Sequence, residues 1–249
     1  MEVEHVGVVE TDKWLNENFD HPSKICQQID SGKPDLYPYL VQFGMYTPNR
    51  RTWDYFQRLQ KNKIWAEVRK LLTKYQKLWN GPDVNIYIFP IDRRFGDKGG
   101  VSFKKKMFLF LSPLEDQMEL EALFVHEYHH VCRMNKQKKE IIDYNLLDSI
   151  ILEGLAEYAV EYYCGSKYRA KWCDYYEEKE LEQYWQGLKE KIIEIKREQS
   201  LHDRILFGKR GYPKLLGYAL GYHLTKAMPK DGNFSEKINF YSNSENFTK

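Results

Sequence analysis

The chain has 249 residues, and 42% of them are hydrophobic, enough to bury a sizeable core and too many for a disordered chain. Lys and Arg together number 38 and Asp and Glu 36, so the formal net charge is only +2. That balance argues against a dedicated nucleic-acid binder, which carries a marked basic excess.

From the N-terminus, Met1 to Glu10 lacks the basic start and apolar stretch of a signal peptide. Thr11 to Asp30 has weak helical periodicity through Trp14, Leu15, Ile25 and Ile29, and Ser31 to Pro38 reads as a loop broken by Gly32, Pro34 and Pro38. Thr47-Pro48 predicts an N-cap followed by Pro at the first helical position, opening a helix that runs to about Lys61. A second helix, Ile64 to Trp79, is stopped by Asn80-Gly81-Pro82. Val84 to Phe89 is a β-prone run, and a polar, turn-rich stretch from Pro90 ends in Gly99-Gly100. Val101 to Phe103 and Met107 to Leu111 then predict a hairpin across a Lys-rich turn. Ser112 with Glu115 has the pattern of a capping box before a helix through His130. A charged connection from Arg133 to about Asp143 leads to a helix from Leu147 to Tyr163, ended by Gly165. Ser166 to Met228 reads as almost all helical, and Pro229 to Lys249 as a polar tail.

These elements predict an α+β, mostly helical fold. A small mixed sheet precedes the central helix, and the C-terminal part is helical. One domain is expected, with a helical part over 1–82, a sheet and two helices over 83–165, and a helical part over 166–249. Cys26, Cys132, Cys164 and Cys173 show no C-x-x-C pairing, and no apolar run approaches a membrane span, so the reading is a cytoplasmic protein with reduced thiols. The basic runs Lys104 to Lys106 and Lys136 to Lys139 read as solvated loops.

The chemistry sits in His126-Glu127-Tyr128-His129-His130, an H-E-x-x-H pattern. Residues four apart lie on one helix face, so two imidazoles can reach one Zn²⁺ while Glu127 stands beside them as a base for a metal-activated water. A catalytic zinc site usually takes three protein ligands and keeps one position open. Between His130 and Glu153 lie 22 residues, with Glu157 again four further on, which is room for the chain to turn and return beside the first helix. His129 lies about 60° round the helix from His126, on the side away from His130, and reads as packing or support for the ligands, the other reading being an alternative ligand at the expense of Glu127's usual place.

His126, Glu127 and His130, followed by Glu153 and Glu157, resemble the gluzincin metallopeptidases. That resemblance implies Glu153 as the third zinc ligand and Glu157 as the carboxylate that holds a zinc-ligating His through its other ring nitrogen. More narrowly, the chain resembles the YjaZ-like family of predicted zinc-dependent proteases. The residues that carry this resemblance are Val9 to Leu15, Gly99-Gly100, His126 to His130, Glu153 to Tyr158, and Gly217-Tyr218 with Gly221-Tyr222. It implies a zincin-like core, a zinc cofactor and a peptide or protein substrate. In such folds an edge strand just before the metal helix pairs with extended substrate, a place that Met107 to Leu111 takes here. The alternative for that run is an ordinary buried strand.

Gly217 and Gly221 make a smooth strip that lets a helix approach another backbone closely. Tyr218 is the first choice for the donor that steadies an oxyanion and His223 the second, with Tyr222 on the neighbouring face; plain packing is the competing reading. The rival functions are a non-catalytic zinc-binding stress or regulatory protein, and a metal-free helical interaction module.

Overall fold

A computed structural model describes residues 7–31, 35–137, 139–226 and 234–248. The chain packs as two compact units, residues 1–131 and 132–249. It is mostly helical with one small mixed sheet, as the pattern of elements predicts.

The first unit is built on strands β1 (Gly7–Val8), β2 (Asn85–Pro90), β3 (Lys98–Ser102) and β4 (Lys106–Leu111), in the order β1-β2-β4-β3. β1 and β4 run parallel to β2, and β3 pairs antiparallel to β4. β2 and β4 are the inner strands, and their apolar runs are buried on both faces. β3 ends the sheet and is half-buried along its length. The predicted hairpin therefore forms, but Gly99 and Gly100 belong to its first strand rather than to the preceding turn. Met107 to Leu111 has strand partners on both sides, so the strand beside it that ends the sheet is β3, and the expectation that Met107 to Leu111 is an edge strand is corrected.

Among the described residues, this sheet is accompanied by helices α1 (Thr11–Asn18), α2 (Pro22–Ile29), α3 (Leu36–Val41), α4 (Arg50–Lys61) and α5 (Ile64–Trp79). The periodicity over Thr11 to Asp30 belongs to two helices, because Pro22 opens a second one at its first turn. Pro38 lies in the first turn of α3, where its missing N–H costs nothing, so the predicted loop is shorter; its Gly32 and Pro34 lie outside the described residues. Asn49, not Thr47, caps α4: its Oδ1 accepts from the Arg51 and Thr52 amides, while Thr52 Oγ1 accepts from the Asn49 amide. The fully buried Thr11 ties three elements, donating to the Ile88 carbonyl at 2.8 Å and accepting from Trp65 Nε1 at 2.9 Å.

Helix α6 (Gln117–Lys136) begins in the first unit and ends in the second. The Ser112–Glu115 box does not form; Asp116 Oδ1 accepts from the Met118 amide instead. Tyr128 fixes α6 in the first unit by stacking on Trp79 at 5.9 Å and donating to the Pro82 carbonyl at 2.8 Å.

The second unit holds α7 (Leu146–Cys164), α8 (Glu178–Leu188), α9 (Ser200–Leu206) and α10 (Leu216–Lys226). α7 is apolar around most of its circumference and accordingly buried, and Gly165 at φ 95° ends it. The stretch predicted as almost all helical is broken into these shorter helices, and its residues 227–228 lie outside the described ones. The tail is more than polar chain. Residues 229–233 and 249 are outside the described part, but Phe240 and Phe247 are buried and Lys237–Tyr241 forms a π-helical turn. The fully buried Arg133 donates to the carbonyls of Asn239 at 2.7 Å and Ser242 at 2.9 Å. Burial pulls its pKa down to about 10, which leaves it charged at neutral pH. Asp148 accepts from Ser244 Oγ at 2.8 Å and Lys139 Nζ at 2.5 Å. No helix among the described residues is long and apolar enough to cross a membrane.

Candidate metal centre

His126 and His130 stand one turn apart on α6, and their Nε2 atoms converge to 3.1 Å. Two nitrogens bound tetrahedrally to one zinc at 2.0–2.1 Å would sit about 3.3 Å apart, so the rings need little adjustment to share an ion. Among the described residues, one group of His, Cys, Asp and Glu side chains is arranged to hold a metal: His126, His130 and Glu153, whose ligand atoms all lie within 4.8 Å of one another. Two imidazoles and a carboxylate suit Zn²⁺ and leave a fourth tetrahedral position for water or substrate, so the residues present fit the ion that the motif implies.

Glu127 is 5% exposed, and its carboxylate is held from β3. Ser102 Oγ donates to Glu127 Oε2 at 2.6 Å and also lies 3.0 Å from the Glu127 carbonyl oxygen. A β-carbon on Gly100 would come within 2.7 Å of Cγ, Cδ and Oε1 of Glu127, so only glycine leaves room for this side chain. The motif shows neither neighbour. The only signal for them was the Gly-Gly pair already singled out, with a serine two positions on.

Glu157 is buried on α7 and accepts from the Ala170 amide, which gives one of its oxygens a main-chain donor. His129 is fully buried, with its ring edge toward Trp79 at 6.1 Å, in keeping with a packing role.

On α10 the glycine strip behaves as expected. Gly221 abuts α7, where a β-carbon would fall 2.1 Å from the Ile150 carbonyl oxygen, and Gly217 abuts Leu206 of α9. Tyr218 is half-buried against Trp172 at 5.3 Å and Phe207 at 6.0 Å. His223 Nε2 lies 3.7 Å from Glu182 Oε2 and lines a cavity of about 450 Å³ with Cys173, Leu181 and Tyr222. The Tyr222 hydroxyl is committed elsewhere: it donates to Glu161 Oε2 at 2.6 Å and accepts from Arg169 Nη1 at 2.5 Å, and burial pushes its pKa up.

Residues 64–249 match the family model described as "Predicted Zn-dependent protease (DUF2268)". The chain is also 40% identical over 199 residues to "Uncharacterized protein YjaZ" of Bacillus subtilis (strain 168), an alignment covering 76% of this chain and 75% of that protein. No solved structure matches it.

Proposed function

The chain belongs to the family of predicted Zn-dependent proteases, and on that premise we propose that it hydrolyses peptide bonds at a zinc centre held by His126, His130 and Glu153. The observation that carries this reading is the grouping of those three donors beside a buried, hydrogen-bonded Glu127. Bound Zn²⁺ supplies a Lewis acid that brings the pKa of a water toward ~7 and draws charge from a carbonyl oxygen.

The protein's own residues do the rest. Glu127 takes a proton from the attacking water as the water oxygen bonds to the peptide carbonyl carbon. When the C–N bond breaks, Glu127 returns that proton to the leaving amine. Glu157 fixes the orientation of a ligand imidazole, a role that suits a buried carboxylate. Tyr218 is the first choice for the donor to the oxyanion, with His223 second; Tyr222 is the weakest because its hydroxyl is already bonded. An extended substrate pairs along β3. The Phe103 amide bonds the Lys106 carbonyl and the Ser112 amide bonds the Asp97 carbonyl, so the alternation turns the amides and carbonyls of Lys98, Gly100 and Ser102 outward.

The zinc-loaded protein should cleave fluorescein-labelled casein. Glu127→Gln should keep its zinc and lose at least ~100-fold in rate. Undiminished cleavage by that variant overturns the reading.

A further inference from the structure

We infer that Ser102 and Gly100 are positioning residues for Glu127, and that they single out Oε1 as the oxygen that takes and returns the proton. This rests on the reading of Glu127 as the base.

β3 and α6 lie side by side with matched rise. Lys98 Nζ meets Glu119 Oε2 at 2.6 Å and the Glu119 carbonyl at 3.0 Å, and Ser102 meets Glu127 at 2.6 Å. Four strand residues advance about 13 Å and eight helical residues about 12 Å, so both contacts close together. Between them, the absent side chain of Gly100 provides the space that the Glu127 side chain occupies. Helical side chains lean toward the helix N-terminus, which brings the Glu127 carboxylate over Gly100 rather than beyond Ser102.

The two oxygens of Glu127 are therefore unequal. Oε2 accepts the short Ser102 hydrogen bond, while Oε1 lies over Gly100. A charge-assisted O–H···O⁻ bond of this length is among the stronger ones and restrains a side chain that otherwise has several rotamers. The Ser102 hydroxyl also has the Glu127 carbonyl at 3.0 Å as a second acceptor. It can turn there while the carboxyl carries the transferred proton, and turn back when the proton leaves.

The test uses the full chain. Crystals of metal-free Ser102→Ala should show Glu127 displaced or spread over rotamers, whereas Ser102→Thr, which keeps the hydroxyl, should show it in place. With zinc bound and casein as substrate, Ser102→Ala should lose about 10- to 100-fold in kcat with KM and zinc content unchanged, and Ser102→Thr should recover most of the rate. Gly100→Ala should displace Glu127 and lose rate similarly. An unmoved Glu127 in the Ser102→Ala crystal, or wild-type kcat in Ser102→Ala while Glu127→Gln is inactive, overturns the inference. An active Glu127→Gln instead overturns the reading of the base on which the inference rests.

Discussion

Gly154 of α7 and Gly221 of α10 meet backbone against backbone: a β-carbon on Gly154 would lie 2.1 Å from the Gly221 carbonyl oxygen. The neighbour on each side is main chain, which cannot rotate away, so an added methyl must push two helices apart. Gly221→Ala should therefore destabilise the protein by about 2 kcal/mol or more, measured by urea unfolding. Gly187→Ala, in α8 with nothing within 4 Å, is the control and should be neutral or stabilising by up to ~1 kcal/mol. Equal losses in both variants would show that the close approach is not what matters.

The metal site has its own expectation. Purified protein should hold about one zinc per chain, as read by atomic emission, and His126→Ala with His130→Ala should abolish it. Retention of the zinc in that double variant would exclude these two imidazoles as ligands.

Glu157 should matter for affinity rather than for the presence of the site. Glu157→Gln is expected to weaken zinc binding about 10- to 100-fold in competition with a chelator. An unchanged affinity would exclude Glu157 as the carboxylate that supports a zinc-ligating imidazole.

Arg133 should act on the C-terminal segment. Arg133→Met removes the guanidinium donor to the Asn239 carbonyl and one of the two donors to the Ser242 carbonyl, the other being Gln137 Nε2 at 3.2 Å, and should cost about 2–4 kcal/mol. It should also expose residues 234–248 to proteolysis. Lys at this position should rescue poorly, because one ammonium does not reproduce two divergent guanidinium bonds.

Alkaline sensitivity should trace in part to Cys26, a buried thiol whose S–H donates to Met45 Sδ at 3.9 Å. Burial raises its pKa from 9.0 to about 12. The unfolded chain loses this proton first, so the stabilisation is complete below pH 9 and is lost as pH rises from about 9 to about 12. The slope is at most ~1.4 kcal/mol per pH unit. Urea midpoints between pH 8 and 11 should fall less steeply in Cys26→Ala than in the wild type; parallel curves would exclude this thiol as the cause.

Much of the local structure was legible from spacing alone. The i, i+4 step of His126 and His130 is a property of any α-helix, and it puts both rings on one face, where their Nε2 atoms converge. The helix ends at Trp79 and Gly165 and the apolar strands around Ile88 and Leu109 were likewise read from short-range pattern, because caps, breakers and periodicity act within a few residues. Other features depended on partners far along the chain. Thr47 was expected to cap α4, but Asn49 does so, because its Oδ1 accepts from the Arg51 and Thr52 amides while the Thr47 carbonyl receives Asn49 Nδ2 and Thr52 Oγ1. Which strand ends the sheet was invisible in Met107 to Leu111, since an inner strand and an edge strand can share one apolar run. The sequence by itself determined the donor types, their helical spacing and the base beside them. Only the tertiary structure decided that β3 ends the sheet, that Ser102 and Gly100 face Glu127, and that Arg133 anchors the tail. The last two are contacts between residues 25 to 109 positions apart, and no local rule of backbone geometry specifies them.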